Sequence, residues 1–344
     1  PADGLETLCT HNPPDDRLPG RHPAMIQQQV MVAITAFYHF VPLTPEQVDA
    51  VVTQLNTLGP ELAVRGLVLV APEGINGTVC MPPENMDAWK AAVREIVFGR
   101  DVIFKDATAD DYVFPRYKVD IRTEIVTADM PGVFPTTTKN NHLTPQEWHE
   151  TIVNDPNVVV IDTRNDYEVK IGKFRGAVDP NLDVFTEWPE YVENNPLDKD
   201  TKVLMYCTGG IRCEKAIFAM QERGYSNVWQ LEGGILKYFE EFPDGGAFEG
   251  ECFVFDDRIA VRPDLKPTER WGRCPHCGDP ADVPTECPYC GEQAVICDTC
   301  QGLIGNGETH RRACSRNCAT HVKRGTTPRR RRTVTKPAVD STTA

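Results

Sequence analysis

No apolar run in this 344-residue chain approaches the ~20 residues that a membrane-spanning helix requires, so no membrane partner is expected. The first twenty residues are polar and proline-rich, and lack the charged-then-apolar order of an export signal. A cytoplasmic location is expected, with an organellar address left open because the chain does not begin with methionine. There is no G-x-G-x-x-G fingerprint for a dinucleotide, and no pair of histidines with a carboxylate that would suit iron. Flavin, NAD and haem are therefore not expected. No internal repeat is visible.

What remains is an ordinary globular composition, 40% hydrophobic and 25% charged, on a chain long enough for two or three domains. Charge is divided unevenly. From Lys323 onward there are seven basic residues and one acid, against a net −14 for the whole chain, so the remainder carries −20. A body that acidic repels nucleic acid in bulk, and any RNA contact needs local basic patches.

Residues 1–27 are expected to be disordered, and residues 28–127 read as one α+β domain. Val30–Phe40 is a strand. Thr44, Pro45 and Gln47 supply the cap, first-turn proline and capping-box partner of a helix that Gly59-Pro60 should stop near Leu58. A strand over Gly66–Val70, turn chemistry over Gly74–Gly77 and a strand to Met81 follow. A helix over Glu84–Val97 aligns Met86, Trp89, Val93 and Val97 on one face. With strands near Val102–Lys105 and Tyr117–Val126, the order β-α-β-β-α-β suggests a ferredoxin-like (acylphosphatase-like) sandwich.

Residues 128–141 read as a linker. Residues 142–248 alternate strands and helices, which implies an α/β domain with a parallel sheet. Its Val158–Asp162 and Lys202–Cys207 runs are continuously apolar, as in strands covered on both faces. A helix over Glu214–Arg223 closes at Gly224, and Val228–Leu231 is a further strand. Residues 249–322 are cysteine-rich, with a short strand pair between Glu251 and Val261. Residues 323–344 form a basic tail expected to be disordered.

The stretch Tyr206-Cys207-Thr208-Gly209-Gly210-Ile211-Arg212-Cys213 places a cysteine at the C-terminal end of a buried strand, then a Gly-rich loop, then a helix. Ligand sites of open α/β sheets lie at that edge. Successive backbone N–H groups and the helix N-terminus favour a thiolate there, and Arg212 adds positive charge to the rim. Such a cradle suits a thiolate, a persulfide or a small oxyanion. The alternative is a structural cysteine before a tight turn, and for Cys213 a core role is favoured over a resolving thiol.

Eight of the thirteen cysteines fall between Cys274 and Cys318. Cys274, Cys277, Cys287 and Cys290 form one zinc pattern; Cys297, Cys300, Cys314 and Cys318 form a second set of four. Two structural zinc ions are expected, with interleaved pairing left open. His276, His310 and His321 are weaker ligand candidates. Arg311, Arg312 and Arg316 in this module, the Arg329–Arg332 run, and Arg116, Lys118 and Arg122 on one strand face are candidate RNA contacts. The cysteine-rich region and the tail could also meet protein partners.

These residues carry a resemblance. Val159 to Glu168, then Ile171-Gly172 and Gly176-Ala177, resembles the first signature of rhodanese domains, and Cys207 to Arg212 resembles their active-site loop. The resemblance implies that Asp162 and Arg164 support that loop. The order of Ala71-Pro-Glu-Gly-Ile-Asn-Gly77, the rhodanese motifs, Leu231-Glu-Gly-Gly-Ile235, Phe255-Asp-Asp-Arg258 and the paired cysteines is similar to that of the rhodanese-domain tRNA uridine hydroxylases. It implies dioxygen as co-substrate, tRNA as partner, 5-hydroxyuridine as product and an essential Cys207. The loop alone equally suits a sulfurtransferase carrying a Cys207 persulfide. A non-enzymatic RNA- or protein-binding module is the third reading, and it would require neither Cys207 nor Arg212.

Overall fold

The computed structural model describes residues 31–98, 102–130, 135 and 141–326. The N-terminal segment, most of the expected linker and the Arg-rich run lie outside the described residues. No described helix is long and apolar enough to cross a membrane.

The first domain contains β1 (Val32–Phe40), α1 (Pro45–Glu61), β2 (Arg65–Ala71), β3 (Gly74–Met81), α2 (Met86–Ile96), β4 (Ile103–Ala109) and β5 (Tyr117–Ile121). Its sheet has the order β4-β1-β3-β2-β5, antiparallel except where β5 runs parallel to β2. This is the expected ferredoxin-like sandwich plus one edge strand. Phe37, Leu55, Val68, Trp89 and Val93 fill the layer between sheet and helices. The Thr44–Gln47 capping box is present.

Two local expectations are corrected. Helix α1 continues through Gly59-Pro60 to Glu61, because Gly59 serves close packing and not termination: a Cβ there would lie 2.1 Å from the Tyr117 ring. The Gly74–Gly77 segment is strand, since β3 pairs with both β1 and β2 along its length, and the chain reverses at Pro72-Glu73.

The second domain contains β6 (His142–Leu143), α3 (Pro145–Asn154), β7 (Val159–Asp162), α4 (Asp166–Val169), β8 (Gly172–Phe174), α5 (Trp188–Asn194), β9 (Val203–Tyr206), α6 (Ile211–Glu222), β10 (Val228–Leu231), α7 (Gly234–Glu241) and β11 (Phe248–Gly250). Strands β6-β10-β9-β7 form a parallel sheet. All four residues of β9 are buried, because helices cover both faces. One core holds Trp188, Met205, Ala216 and Met220; the other holds Trp148, Phe174, Tyr206 and Tyr238.

Beyond them lie three short hairpins: β12 (Cys252–Phe253) with β13 (Ala260–Val261), β14 (Gly272–Arg273) with β15 (Pro280–Ala281), and β16 (Val283–Glu286) with β17 (Gln293–Ile296). Helices α8 (Asp298–Gly305) and α9 (Arg316–Lys323) follow.

Candidate active site

Cys207 sits where β9 ends, and Gly210 makes the turn into α6. Gly210 has φ +96°, a conformation that glycine adopts without steric cost, and its N–H donates to Cys207 Sγ at 3.0 Å. The N–H groups of Arg212 and Gly209 also point at the sulfur. Burial by itself pushes the thiol up. The Cys213 thiol hydrogen bond, the Arg212 charge and these N–H donors outweigh it and bring Cys207 down to about 5. Cys213 moves the other way, raised by burial and by its bond to Cys207. Its sulfur also lies 3.4 Å from Thr163 Oγ1, within the domain core.

Arg212 is not free at the rim. Its guanidinium forms a bidentate pair with buried Glu168, Nη1 to Oε2 at 2.6 Å and Nη2 to Oε1 at 2.8 Å. Glu168 also accepts the Thr208 hydroxyl at 3.2 Å. One carboxylate at the end of α4 thus ties together both sides of the loop. Burial raises the Glu168 carboxyl, yet the Arg212 charge and hydrogen bonds hold it below its ordinary range. Asp162 and Arg164 form a fully buried ion pair, with Arg164 Nη2 also donating to the Gly172 carbonyl at 2.6 Å. They lie beneath Tyr206 and make no hydrogen bond to the Cys207–Arg212 loop among the described residues. Ile211 packs outward against Phe40, Ala71 and Ile125 of the first domain.

The first domain covers the loop. Tyr38 Oη on β1 donates to Glu214 at 3.0 Å, and a Cβ on Gly210 would lie 3.1 Å from that oxygen. His142 Nε2 meets the same carboxylate at 3.0 Å. Lys215 is buried between Glu73 at 2.9 Å and Glu124 at 2.8 Å. Glu73 belongs to the Ala71–Gly77 motif, so that motif helps join the two domains. Sequence reasoning did not single out Glu168, Glu73, Tyr38 or Lys215 as site residues. Glu168 and Glu73 stand inside the quoted motifs, but their partners are distant in the chain.

The eight late cysteines gather into two groups, and the pairing is interleaved. Cys274, Cys277, Cys297 and Cys300 form one; Cys287, Cys290, Cys314 and Cys318 form the other. The consecutive assignment is corrected because the hairpin β16–β17 carries the Cys287–Cys290 turn away from the Cys274–Cys277 turn. Sulfur separations include 3.4 Å for Cys277–Cys297 and 3.8 Å for Cys277–Cys300. In the second group they include 3.4 Å for Cys290–Cys314 and 3.7 Å for Cys314–Cys318. Both groups could hold a metal ion. None of His276, His310 and His321 belongs to either group.

Arg311 donates to Cys300 Sγ at 3.3 Å and to Glu308 at 2.6 Å, while Arg316 donates to the His276 carbonyl at 3.1 Å. Thr285 Oγ1 donates to the Arg312 carbonyl at 3.3 Å. Lys118 and Arg122 both pair with Asp120, at 2.7 and 3.2 Å, which reduces the net charge of that strand face. Arg116, just before β5, is exposed.

Fold and site together define a rhodanese-type thiolate protein with an acylphosphatase-like cover and a two-cluster cysteine module. Residues 32–125 match the UPF0176 acylphosphatase like domain, residues 144–241 the Rhodanese-like domain, and residues 249–319 the Rhodanase C-terminal family. The chain is 44% identical over 292 residues to a tRNA uridine(34) hydroxylase of Bdellovibrio bacteriovorus, covering 85% of this chain and 81% of that one. It is 40% identical over 234 residues to the protein of the same name from Legionella pneumophila (strain Paris), covering 67% and 90%. A solved rhodanese-like domain from Anabaena sp. overlaps 32% of this chain and 79% of its own at 18% identity and TM-score 0.27, too little to carry weight. The chain belongs to the tRNA uridine(34) hydroxylase family.

Proposed function

We propose that this protein hydroxylates the wobble uridine of tRNA to 5-hydroxyuridine, with dioxygen as the oxygen source and Cys207 as the nucleophile. The observation behind this reading is the rhodanese loop in which the Gly210 N–H donates to Cys207 Sγ at 3.0 Å, in a chain whose relatives carry the name of that reaction. Thiolate addition to C6 of uracil moves the C5=C6 electron pair toward C5 and O4. C5 then becomes the electron-rich position that takes one atom of dioxygen, while the other leaves as water with two electrons and two protons from an external reductant. Loss of the C5 proton and expulsion of the sulfur restore the ring. Gly209, Gly210 and the α6 N-terminus hold Sγ ionised, while Glu168 fixes Thr208 and Arg212 so that the loop keeps its shape.

The eight cysteines suit zinc. A Zn–S bond of about 2.3 Å implies tetrahedral edges of about 3.8 Å, close to the sulfur separations found. Cys274, Cys277, Cys297 and Cys300 would hold one ion and Cys287, Cys290, Cys314 and Cys318 the other. Each ion would supply folding energy to a module with little core of its own. Exposed Arg116, with Lys118 and Arg122, is offered as a tRNA contact, and the cysteine module as a surface for further partners. The expected domain limits and a cytoplasmic site of action belong to the same proposal.

Nucleoside mass spectrometry of tRNA from cells lacking this protein, rescued with wild type or Cys207→Ala, tests it. Loss of 5-hydroxyuridine restored by wild type alone is expected. Unchanged 5-hydroxyuridine with altered thiolated nucleosides would replace the reading with sulfur transfer through a Cys207 persulfide.

A further inference from the structure

Among the described residues four cations are buried: Lys105, Arg164, Arg212 and Lys215. Three have carboxylates at bonding distance: Asp162 for Arg164, Glu168 for Arg212, and Glu73 with Glu124 for Lys215. Lys105 has no hydrogen-bond acceptor or ion-pair partner among the described residues; its Nζ rests 4.5 Å above the Tyr38 ring. A ring face stabilises an ammonium modestly, far less than water does. The Nζ is not sealed in the core, so this charge is presented to the open space beside it, where an anionic group can reach it.

The direction of the side chain says where that anion sits. Lys105 lies on β4, the edge strand beside β1, and reaches across to the rhodanese loop. A Cβ built on Gly209 would find a single heavy atom within 4 Å, Lys105 Nζ at 3.8 Å. The space over the loop, next to the N–H that points at Cys207 Sγ, is therefore faced by this ammonium. Arg212 cannot serve there while Glu168 holds it bidentately.

We propose that Lys105 supplies the substrate-facing positive charge of the Cys207 site, holding a substrate oxygen that becomes anionic as the sulfur bonds to the ring. On the uridine-hydroxylation reading, which this rests on, that oxygen is O4 of uracil. The thiolate electron pair forms the Sγ–C6 bond, and the C5=C6 pair moves into an enolate over C5, C4 and O4. No electron or proton enters or leaves, and Lys105 donates a hydrogen bond to O4.

The groups acting on Lys105 are Cys207, Glu214 and Glu240, which favour its charge, and Lys237, which opposes it. Burial is the largest influence and lowers the amine to about 8. It is therefore cationic at neutral pH, and the charge is lost as pH rises through that value.

The test uses full-length wild type, Lys105→Met and Lys105→Arg. Lys105→Met should slow single-turnover formation of 5-hydroxyuridine about 100-fold, with KM for tRNA changed less than about 3-fold, and Lys105→Arg should recover part of the loss. A second arm needs no hydroxylation: alkylation of Cys207 by iodoacetamide with and without inorganic sulfate. Sulfate should protect wild type below about pH 8, lose its effect above it, and never protect Lys105→Met. Equal protection in Lys105→Met, or none in wild type at neutral pH, overturns the proposal, as does undiminished turnover in Lys105→Met. Should Lys105→Met fail to fold, the wild-type pH profile decides alone. Wild type that makes no 5-hydroxyuridine but shows the sulfate pattern refutes the uracil reading and leaves Lys105 as an anion site.

Discussion

Cys207 and the cysteines from residue 274 onward both need compensation for charged sulfur, and they obtain it in different ways. Around Cys207 the compensation is built from the fold: N–H groups of a glycine loop, a neighbouring thiol and a guanidinium. In the late module the sulfurs crowd one another at 3.4 to 3.8 Å, an arrangement that suits a shared metal ion. A thiolate held by dipoles keeps its lone pairs available to a substrate. A thiolate bound to a metal spends them on coordination. On the proposed reading, the same residue type is reactive in one region and structural in the other.

This contrast can be broken experimentally, and the largest effect lies with the proposed metal ions. Chelation, or Cys300→Ala with Cys318→Ala, should unfold residues 272–323 at a cost on the order of 10 kcal/mol, read by limited proteolysis and metal analysis. The alkylation rate of Cys207 should hardly change. Cys207→Ser should then lower 5-hydroxyuridine formation at least about 1,000-fold while metal content stays at the wild-type level. If both changes abolished both properties, the two regions would not be separable.

Smaller effects sharpen the account of the loop. Glu168→Gln leaves Arg212 charged and buried without its partner, and should destabilise the protein by about 3 kcal/mol in denaturant titration. The pH profile of Cys207 alkylation should be flat above neutrality and fall as pH drops through about 5, because protonation removes the nucleophile. Cys213→Ala removes a hydrogen bond to Sγ and should move that midpoint up by about one pH unit. A midpoint near 8.5, the value of an ordinary cysteine, would show that the loop does not hold a thiolate.

What the sequence revealed depends on how local each signal is. The loop was legible because strand, glycines and helix are contiguous from Tyr206 to Lys215. The capping box at Thr44 was equally local. The cysteine pairs were legible as knuckles, but spacing fits consecutive and interleaved pairing alike, and only the β16–β17 hairpin separates them. Glu168 was hidden because its partners Thr208 and Arg212 lie 40 and 44 positions away. Lys105 was hidden for a related reason: a lysine on an edge strand reads as solvated until another domain closes over it. The Gly59-Pro60 dipeptide misled because a close ring contact can demand glycine within a helix, where propensity alone would have ended it.

The most direct measurement is intact-protein mass spectrometry after incubation with tRNA bearing 5-fluorouridine at the wobble position, where fluorine cannot leave C5 as the proton does. A covalent tRNA adduct that peptide mapping places on Cys207, and that Cys207→Ser lacks, is the predicted result. An adduct on another residue, or none while 5-hydroxyuridine still forms from ordinary tRNA, would contradict nucleophilic addition by Cys207.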